Sequence, residues 1–199
     1  MITRKEMTRM LLKEGLLSWL ANNSFESVTV TSLCKASGIT RSTFYLHYSN
    51  IMEIVDDLVD DAISYSRPGM VDNNNLQIIA KALSAASNSI SLREAYDSIF
   101  DRLPLCQRII RHKKYLPLFL DEQISEYVLQ RIIGREKDRQ GLVIAESLGV
   151  SFDVGVSVFV FLVHGLYAVN KQYKWSQSDE WLEAQKIIFE LVYRGLQRR

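Results

Sequence analysis

Apolar residues recur at helical spacing along almost the whole of this 199-residue chain, and this periodicity restricts its fold more than any other feature. The alternating pattern of a β-strand extends no further than residues 27–31. Nine glycines and three prolines amount to roughly half the usual share of about 12% in globular proteins, so turns are few and helices are long. The sequence therefore predicts an all-α fold.

Composition indicates an ordinary globular protein, with 24 Lys and Arg against 23 Asp and Glu and 47% hydrophobic residues. The longest apolar run, residues 154–163, ends at His164 and Gly165, short of the roughly 18 residues that a membrane span needs. The first residues lack the pattern of a secretory signal, so we expect a cytoplasmic location and no membrane partner. Cys34 and Cys106 are expected to be buried thiols, with no metal site and no cofactor.

A change in composition predicts two domains. Arg67, Pro68 and Gly69, followed by a polar run at residues 72–75, favour a boundary there, with domains at 1–66 and 67–199. The periodicity predicts helices at about 4–22, 30–37, 41–48 and 51–64 in the first domain. It predicts helices at about 76–90, 92–103, 105–115, 118–135, 152–173 and 179–197 in the second.

Two short helices joined by a tight turn form the most informative motif in the sequence. Thr29 or Thr31 can cap the first helix, Gly38 supplies the positive φ of the turn, and Thr40 caps the second helix. Leu33, Ile39 and Phe44 are apolar where the two helices must pack, and Cys34 is small enough to allow a close crossing. Together with the preceding long helix, this is a helix-turn-helix arrangement.

The second short helix carries side chains suited to DNA. With Phe44 turned inward, Arg41, Ser42, Tyr45 and Tyr48 are expected on its outward side. An arginine can donate two hydrogen bonds to guanine, serine can contact bases or phosphate, and a tyrosine ring can meet a thymine methyl group. The N-terminus of the first short helix, with its backbone N–H groups, is suited to a phosphate.

The string from Val28 to Asn50, VTVTSLCKASGITRSTFYLHYSN, resembles the signature of the TetR/AcrR family of bacterial transcription regulators, and residues 3–62 resemble its DNA-binding domain. The resemblance implies a three-helix helix-turn-helix DNA-binding domain followed by a helical domain that binds an effector and dimerises. Together, the residues and the resemblance assign DNA contacts to Thr29, Thr31, Thr40, Arg41, Ser42, Thr43, Tyr45, His47 and Tyr48. The resemblance also implies a homodimer formed by the last two helices and an unidentified small-molecule effector.

Charge and two positions depart from the family pattern. Ile51 stands where a basic residue usually opens the fourth helix, and Ser24 stands where a glycine usually ends the first. Residues 1–66 carry six basic side chains (Arg4, Lys5, Arg9, Lys13, Lys35, Arg41) and eight acidic ones (Glu6, Glu14, Glu26, Glu53, Asp56, Asp57, Asp60, Asp61). Five of the acids lie beyond the expected contact surface, which leaves a net charge of +3 over residues 1–50. Because so small a positive charge neutralises few phosphates, we expect weak non-specific DNA binding with a shallow salt dependence.

The second domain offers a dimer interface and a weaker indication of an effector site. Residues 152–173 are apolar nearly all round, with Gly155 and Gly165 in one stripe, and the last helix has two apolar faces, so two helices from each subunit are predicted to form a four-helix interface. The last helix is divided into one face with Leu182, Phe189, Tyr193 and Leu196 and another with Trp181, Ile188, Val192 and Gly195. Aromatic and polar side chains predicted to line the effector pocket are Phe100, Leu103, Cys106, Phe119, Tyr127, Phe159 and His164.

No motif of a known catalytic class occurs in the sequence, which predicts no enzyme: there is no phosphate-binding glycine loop, no Gly-x-Ser-x-Gly and no His-Glu-x-x-His. The sequence therefore favours a dimeric regulator of the TetR type, a repressor by default, that binds a pseudo-palindromic operator in double-stranded DNA. The alternative is a TetR-like activator or co-regulator that acts through a protein partner.

Overall fold

The computed structural model describes residues 3–66, 75–86, 90–108 and 113–196, although the side chains of some of these, Cys106 among them, lie outside the described part. The described residues are helical and contain no β-strand, as the sequence predicts. The helices are α1 (Arg4–Leu20), α2 (Val30–Ser37), α3 (Arg41–Tyr45), α4 (Ile51–Ser66), α5 (Asn75–Ser84), α6 (Leu92–Ser98), α7 (Leu105–Arg108), α8 (Leu116–Leu120), α9 (Ser125–Leu148), α10 (Phe152–Gln172) and α11 (Asp179–Leu196). Short 3-10 turns lie at Phe25–Ser27 and Phe100–Arg102.

The chain divides into two compact units. Unit 1 comprises the described residues of Met1–Ser64 and His112–Ile132, and unit 2 comprises those of Tyr65–Arg111 and Ile133–Arg199. The boundary predicted from composition falls on residues that are largely outside the described part.

Unit 1 contains α1 to α3, most of α4, α8 and the start of α9. Its core consists of side chains no more than 1% exposed, which include Leu12, Leu16, Leu33, Phe44, Ile54, Leu58, Leu118 and Val128. Helix α8 packs against α1, and the backbone N–H of Phe25 donates a 2.7 Å hydrogen bond to the Asp121 carboxylate. Residues 113–132 therefore complete the core around the N-terminal helices.

Unit 2 packs α5 and α6 against α11, and α7 against α10. Its core includes Ile79, Leu83, Tyr96, Leu103, Trp181 and Phe189. A buried polar chain crosses this core: the Tyr96 hydroxyl donates to Gln107 at 3.0 Å, and the Gln107 amide donates to Gln185 at 2.9 Å. These two hydrogen bonds offset part of the cost of burying the polar groups that they join.

The predicted helix at 118–135 is wrong. Instead, α8 ends at Leu120, and α9 begins at Ser125 and continues to Leu148, through residues for which the sequence predicts no helix. Gly141, which discourages a helix locally, is required by packing, because a Cβ there would lie 2.5 Å from Val156 Cγ2 of α10. The helix is terminated after Leu148 by Gly149, whose φ is +62°.

Most of the other predicted bounds agree more closely, but the helix predicted at 92–103 is too long, because α6 ends at Ser98 and a 3-10 turn follows. Helix α2 occupies residues 30–37 as predicted, α1 ends two residues early, and α10 ends one residue early. Helix α11 is described to Leu196, and residue 197, its predicted end, lies outside the described part. Helix α3 ends at Tyr45, three residues before the predicted end, and α4 extends two residues further. Helix α5 ends at Ser84 and residues 85–86 are not helical, so the end predicted for the helix at 76–90 is wrong; residues 87–89 lie outside the described part. Helix α7 is described to Arg108, residues 109–112 lie outside the described part, and residues 113–115 form a turn, so the end predicted for the helix at 105–115 is also wrong.

Candidate nucleic-acid interface

Helix α2 begins with a capping box at Thr29. The Thr29 side chain accepts a 3.0 Å hydrogen bond from the Ser32 N–H, and the Ser32 hydroxyl accepts one of 2.9 Å from the Thr29 N–H. Of the two predicted caps, Thr29 is therefore the one used, and Thr31 lies exposed in the first turn. The free N–H groups of this first turn face the start of the helix, where an anion is stabilised.

The turn between α2 and α3 has the predicted geometry. Gly38 has φ of +65° and ψ of 28°, and the Ile39 N–H donates to the Cys34 carbonyl at 2.9 Å. Leu33 and Phe44 are both fully buried, so these two predicted packing residues are confirmed. The close approach in this region is at Gly15 of α1, where a Cβ would lie 2.1 Å from the Ser37 hydroxyl oxygen.

Helix α3 is short and is capped by Thr40, as predicted. The Thr43 N–H donates to the Thr40 hydroxyl at 3.2 Å, and the hydroxyls of Ser42 and Thr43 lie 2.9 and 2.8 Å from the same oxygen. This hydroxyl cluster fixes the start of the helix and uses much of the local hydrogen-bonding capacity of Thr40 and Thr43. Arg41, Ser42 and Tyr45 are left exposed on the outward face.

Leu46 completes that outward face and is missed by the sequence reasoning. It is 81% exposed and immediately follows Tyr45, which is 53% exposed. Its φ of −73° and ψ of −17° continue the helical path for one residue beyond α3. The signal that would have found it is its spacing, since Leu46 lies four residues after Ser42 on a face that is otherwise polar.

The expectation that Tyr48 points outward is wrong. It is 3% exposed, its hydroxyl donates a 2.6 Å hydrogen bond to Asp57, and the guanidinium of Arg9 lies 4.9 Å from its ring centre. The spacing rule fails here because the helix ends at Tyr45 and the chain turns before Tyr48. His47 is half-buried. Tyr48 fixes the chain after α3 to α1 and α4 through its contacts with Arg9 and Asp57.

Arg9, Tyr48 and Asp57, here called the anchor triad, form a coupled charged network. Burial by itself would raise the pKa of Asp57, but the hydrogen bonds from Arg9 and Tyr48 and the positive charges of Arg9 and Lys13 hold it below its usual value. Burial, followed by the hydrogen bond to Asp57, raises the pKa of Tyr48. Asp57 is therefore an ionised acceptor at neutral pH, shared between α1 and the chain after α3.

Several acidic residues of α4 are neutralised within unit 1. Besides the Arg9 pair with Asp57, Lys13 pairs with Asp61, and Arg131 pairs with Asp56 at 2.9 Å. The Tyr127 hydroxyl also donates to Asp56, at 2.6 Å. Ion pairs within unit 1 therefore neutralise Asp56, Asp57 and Asp61, the first of them with a cation from α9.

Of the six Lys and Arg side chains in residues 1–66, only some are free to contact phosphate. Arg9 and Lys13 are held in ion pairs, whereas Arg4, Lys5, Lys35 and Arg41 are exposed. The first turn of α4 carries Ile51 and the acidic Glu53, whose carboxylate accepts a 2.8 Å hydrogen bond from the Ser49 N–H. The Glu53 carboxylate therefore occupies the N–H group of Ser49 just before this helix and adds a negative charge to its first turn.

The seven residues predicted to line an effector pocket belong to different units. Phe119 and Tyr127 lie in unit 1, while Phe100, Leu103, Cys106, Phe159 and His164 belong to unit 2. Leu103, Phe119 and Phe159 are buried, and Tyr127 is 38% exposed. The Cys106 side chain lies outside the described part.

A groove of about 530 Å³ lies in unit 1, and none of those seven residues lines it. It is lined by Glu6, Met10, Lys13, Glu14, Leu58, Asp61 and Lys114, and two ion pairs, Lys13 with Asp61 and Lys114 with Glu14, cross it. Among the residues that the structure describes, no group of His, Cys, Asp or Glu is placed to hold a metal ion.

Helices α10 and α11 expose large apolar side chains in unit 2. Phe161 is 73% exposed on α10, and Leu191 is 66% exposed on α11, followed by Ile187 at 51%. By length and hydropathy, α10 is the one described helix that meets the criteria for a membrane span. Large exposed apolar side chains on a helix are also typical of a surface that contacts another protein.

The predicted faces of these helices are only partly those observed. Gly155 lies against α9, where a Cβ would be 2.9 Å from the Ala145 Cβ, whereas Gly165 is exposed with nothing near it. On α11 the buried side chains are Trp181, Leu182, Gln185 and Phe189, so Trp181 and Leu182, which the sequence analysis places on different faces, are both buried.

No protein-family model matches this sequence, and no curated protein matches it. Among solved structures, the chain is similar to the crystal structure of the TetR family repressor AlkX from Dietzia sp., implicated in biodegradation of n-alkanes. The TM-score is 0.42 and the identity 12%, over 96% of this chain and 95% of that chain. The function proposed below rests on the residues of the interface described above.

Proposed function

We propose that this chain is a DNA-binding transcription regulator of the TetR type that acts without catalysis. In this proposal a homodimer puts one α3 per subunit into successive major grooves of a pseudo-palindromic operator in double-stranded DNA. What supports it most is the outward face of α3, where Arg41, Ser42 and Tyr45 are exposed while Phe44 is fully buried. A short helix held at both ends, with hydrogen-bonding side chains turned to solvent, suits the major groove.

Each predicted contact has a distinct role in this proposal. Arg41 donates to a guanine edge, and Ser42 and Tyr45 contact bases or phosphate. The DNA phosphate backbone is bound by the residues at the starts of the two helices and beside α3, namely Thr29, Thr31, Thr40, Thr43 and His47. Tyr48 acts indirectly, because its side chain is used inside the anchor triad.

The dimer is proposed to form through the outward faces of α10 and α11. Phe161, Ile187 and Leu191 supply the apolar surface, and a twofold axis would bring the same patch of each subunit together. We propose a small-molecule effector that binds the helical domain in the cytoplasm and changes DNA affinity by binding one of two states more tightly. Repression is the proposed sign of regulation.

The test begins with selection of bound duplexes from a random pool by the full chain. We expect an inverted repeat with half-sites about 34 to 36 Å apart, one helical turn. Arg41→Ala should lower operator affinity by about 1 to 3 kcal/mol and relax preference at one base pair of each half-site. The matched variant Arg102→Ala removes an exposed arginine of unit 2 and should change neither.

The first turn of α4 favours the second candidate, an activator or co-regulator that acts through a protein partner. Ile51 and Glu53 stand where a cation would anchor phosphate, and this weakens independent DNA binding. Retention of the selected duplex by the pure protein decides between the two, since a co-regulator of this kind would need its partner present.

A further inference from the structure

Leu46 has the most exposed side chain of the large hydrophobic residues in the described part of the chain, at 81%. It is not at a mobile end or in a long loop, because its backbone is helical and its neighbour Phe44 is fully buried. It lies one helical turn after Ser42 and next to Tyr45. The exposed side chains between residues 41 and 48 are therefore Arg41, Ser42, Tyr45 and Leu46.

A single exposed leucine on a protein surface is ordinary and by itself indicates nothing. Leu46 differs because the face that it shares otherwise carries hydrogen-bonding side chains, and a leucine has neither a donor nor an acceptor. If this face enters the major groove, Leu46 must meet base edges that are mostly polar. Covering a polar group without a hydrogen bond is unfavourable, so most base pairs disfavour this contact.

The major groove offers one apolar group, the methyl group on carbon 5 of thymine. Contact between this methyl group and the leucine removes apolar surface of both from water without covering a donor or acceptor. The same group is present on 5-methylcytosine, which pairs with guanine instead of adenine. The chemistry that suits Leu46 is thus a 5-methylpyrimidine.

On the basis of the proposed function, we infer that Leu46 is a specificity-determining residue that packs on the 5-methyl group of a pyrimidine in each operator half-site, thymine in unmodified DNA. Leu46 then discriminates by apolar contact, while Arg41 recognises another base pair by hydrogen bonds. Tyr45 lies between them in sequence and is also exposed.

The test uses the selected operator with each thymine replaced in turn by deoxyuridine, which removes only the methyl group. For the unaltered chain we expect one thymine per half-site whose replacement lowers affinity about fourfold, the factor from burying one methyl group. Replacing that T·A pair with C·G should weaken binding further, and 5-methylcytosine at the same place should recover about fourfold over cytosine.

Leu46→Ala should bind the thymine and deoxyuridine operators equally at that position, while Leu46→Met should keep the preference. Leu120→Ala, which removes an exposed leucine elsewhere in unit 1, is the control and should keep the full methyl effect. A methyl effect of equal size in Leu46→Ala would overturn this inference and leave the proposed function intact, as would equal loss of affinity on every duplex. Failure of the unaltered chain to bind any duplex would overturn both.

Discussion

At the scale of single residues, backbone conformation decides which glycines matter. Gly38 has φ of +65°, a region that costs an L residue about 1 to 2 kcal/mol, yet a Cβ there would touch nothing within 4 Å. Gly134 lies in the middle of α9 with equally open surroundings and an ordinary helical backbone. Because neither position is crowded, substituting each glycine with alanine tests the backbone conformation alone.

Gly38→Ala should lower the free energy of unfolding by about 1 to 2 kcal/mol, because the alanine is held in the left-handed region. Gly134→Ala should raise it by about 0.5 to 1 kcal/mol, because alanine loses less backbone entropy in a helix. Urea unfolding followed by circular dichroism measures both. Equal signs for the two variants would contradict this account of the turn.

At the scale of helices, the anchor triad ties the end of α3 to α1 and α4. Tyr48→Phe removes only the hydroxyl that donates to Asp57. We expect the free energy of unfolding to fall by about 1.5 to 3 kcal/mol, which is typical of a hydrogen bond to a charged group. The matched variant Tyr45→Phe removes an exposed hydroxyl from the same segment and should stay within about 0.5 kcal/mol of the parent.

The same network predicts a pH dependence. Because the folded-state pKa of Asp57 is lowered, its contribution is complete above the ordinary aspartate value of about 3.9 and is lost as pH falls below that value through the folded-state pKa. Asp57→Asn should therefore be less stable than the parent at pH 5 to 8, and the difference in their free energies of unfolding should become smaller below about pH 4. A difference that widens on acidification would refute this sign; unfolding midpoints across pH supply the measurement.

The helices that local signals specify were predictable from sequence, and those decided by tertiary contact were not. Thr29, Gly38 and Thr40 are caps and turn residues whose chemistry acts within four positions, so α2 was predicted to the residue. The continuation of α9 through Gly141 was not predicted, because the packing on Val156 that requires this glycine involves a residue 15 positions away. The Arg9 pair with Asp57 joins residues 48 apart, and no spacing rule points to it.

At the scale of the whole molecule, the exposed apolar faces of α10 and α11 predict self-association. Phe161→Glu should give a monomer, because pairing would bury an unpaired carboxylate, a cost of several kcal/mol. Leu120→Glu places the same charge on a 51% exposed position of unit 1 and should leave the dimer intact. Sedimentation at micromolar concentration distinguishes them, and a monomeric parent chain would end the dimer proposal.

The number of exposed cations limits how strongly salt can weaken operator binding. Within residues 3–66, where the proposed DNA contacts lie, Arg4, Lys5, Lys35 and Arg41 are exposed, while Arg9 and Lys13 are held by carboxylates. This segment of a dimer therefore presents about eight charges to phosphate. Each phosphate neutralised contributes about −0.9 to the slope of log affinity against log salt, which predicts a slope no steeper than about −7.

Two lysines on the same unit test this reasoning directly. Lys35→Ala removes an exposed charge of α2 and should make the slope shallower by about 2 for the dimer, one unit per subunit. Lys13→Ala removes a charge already paired with Asp61 and should leave the slope unchanged. Titrations of the selected duplex at several salt concentrations give these slopes. If both variants shifted the slope equally, ion pairing within unit 1 would not be what withholds Lys13 from DNA.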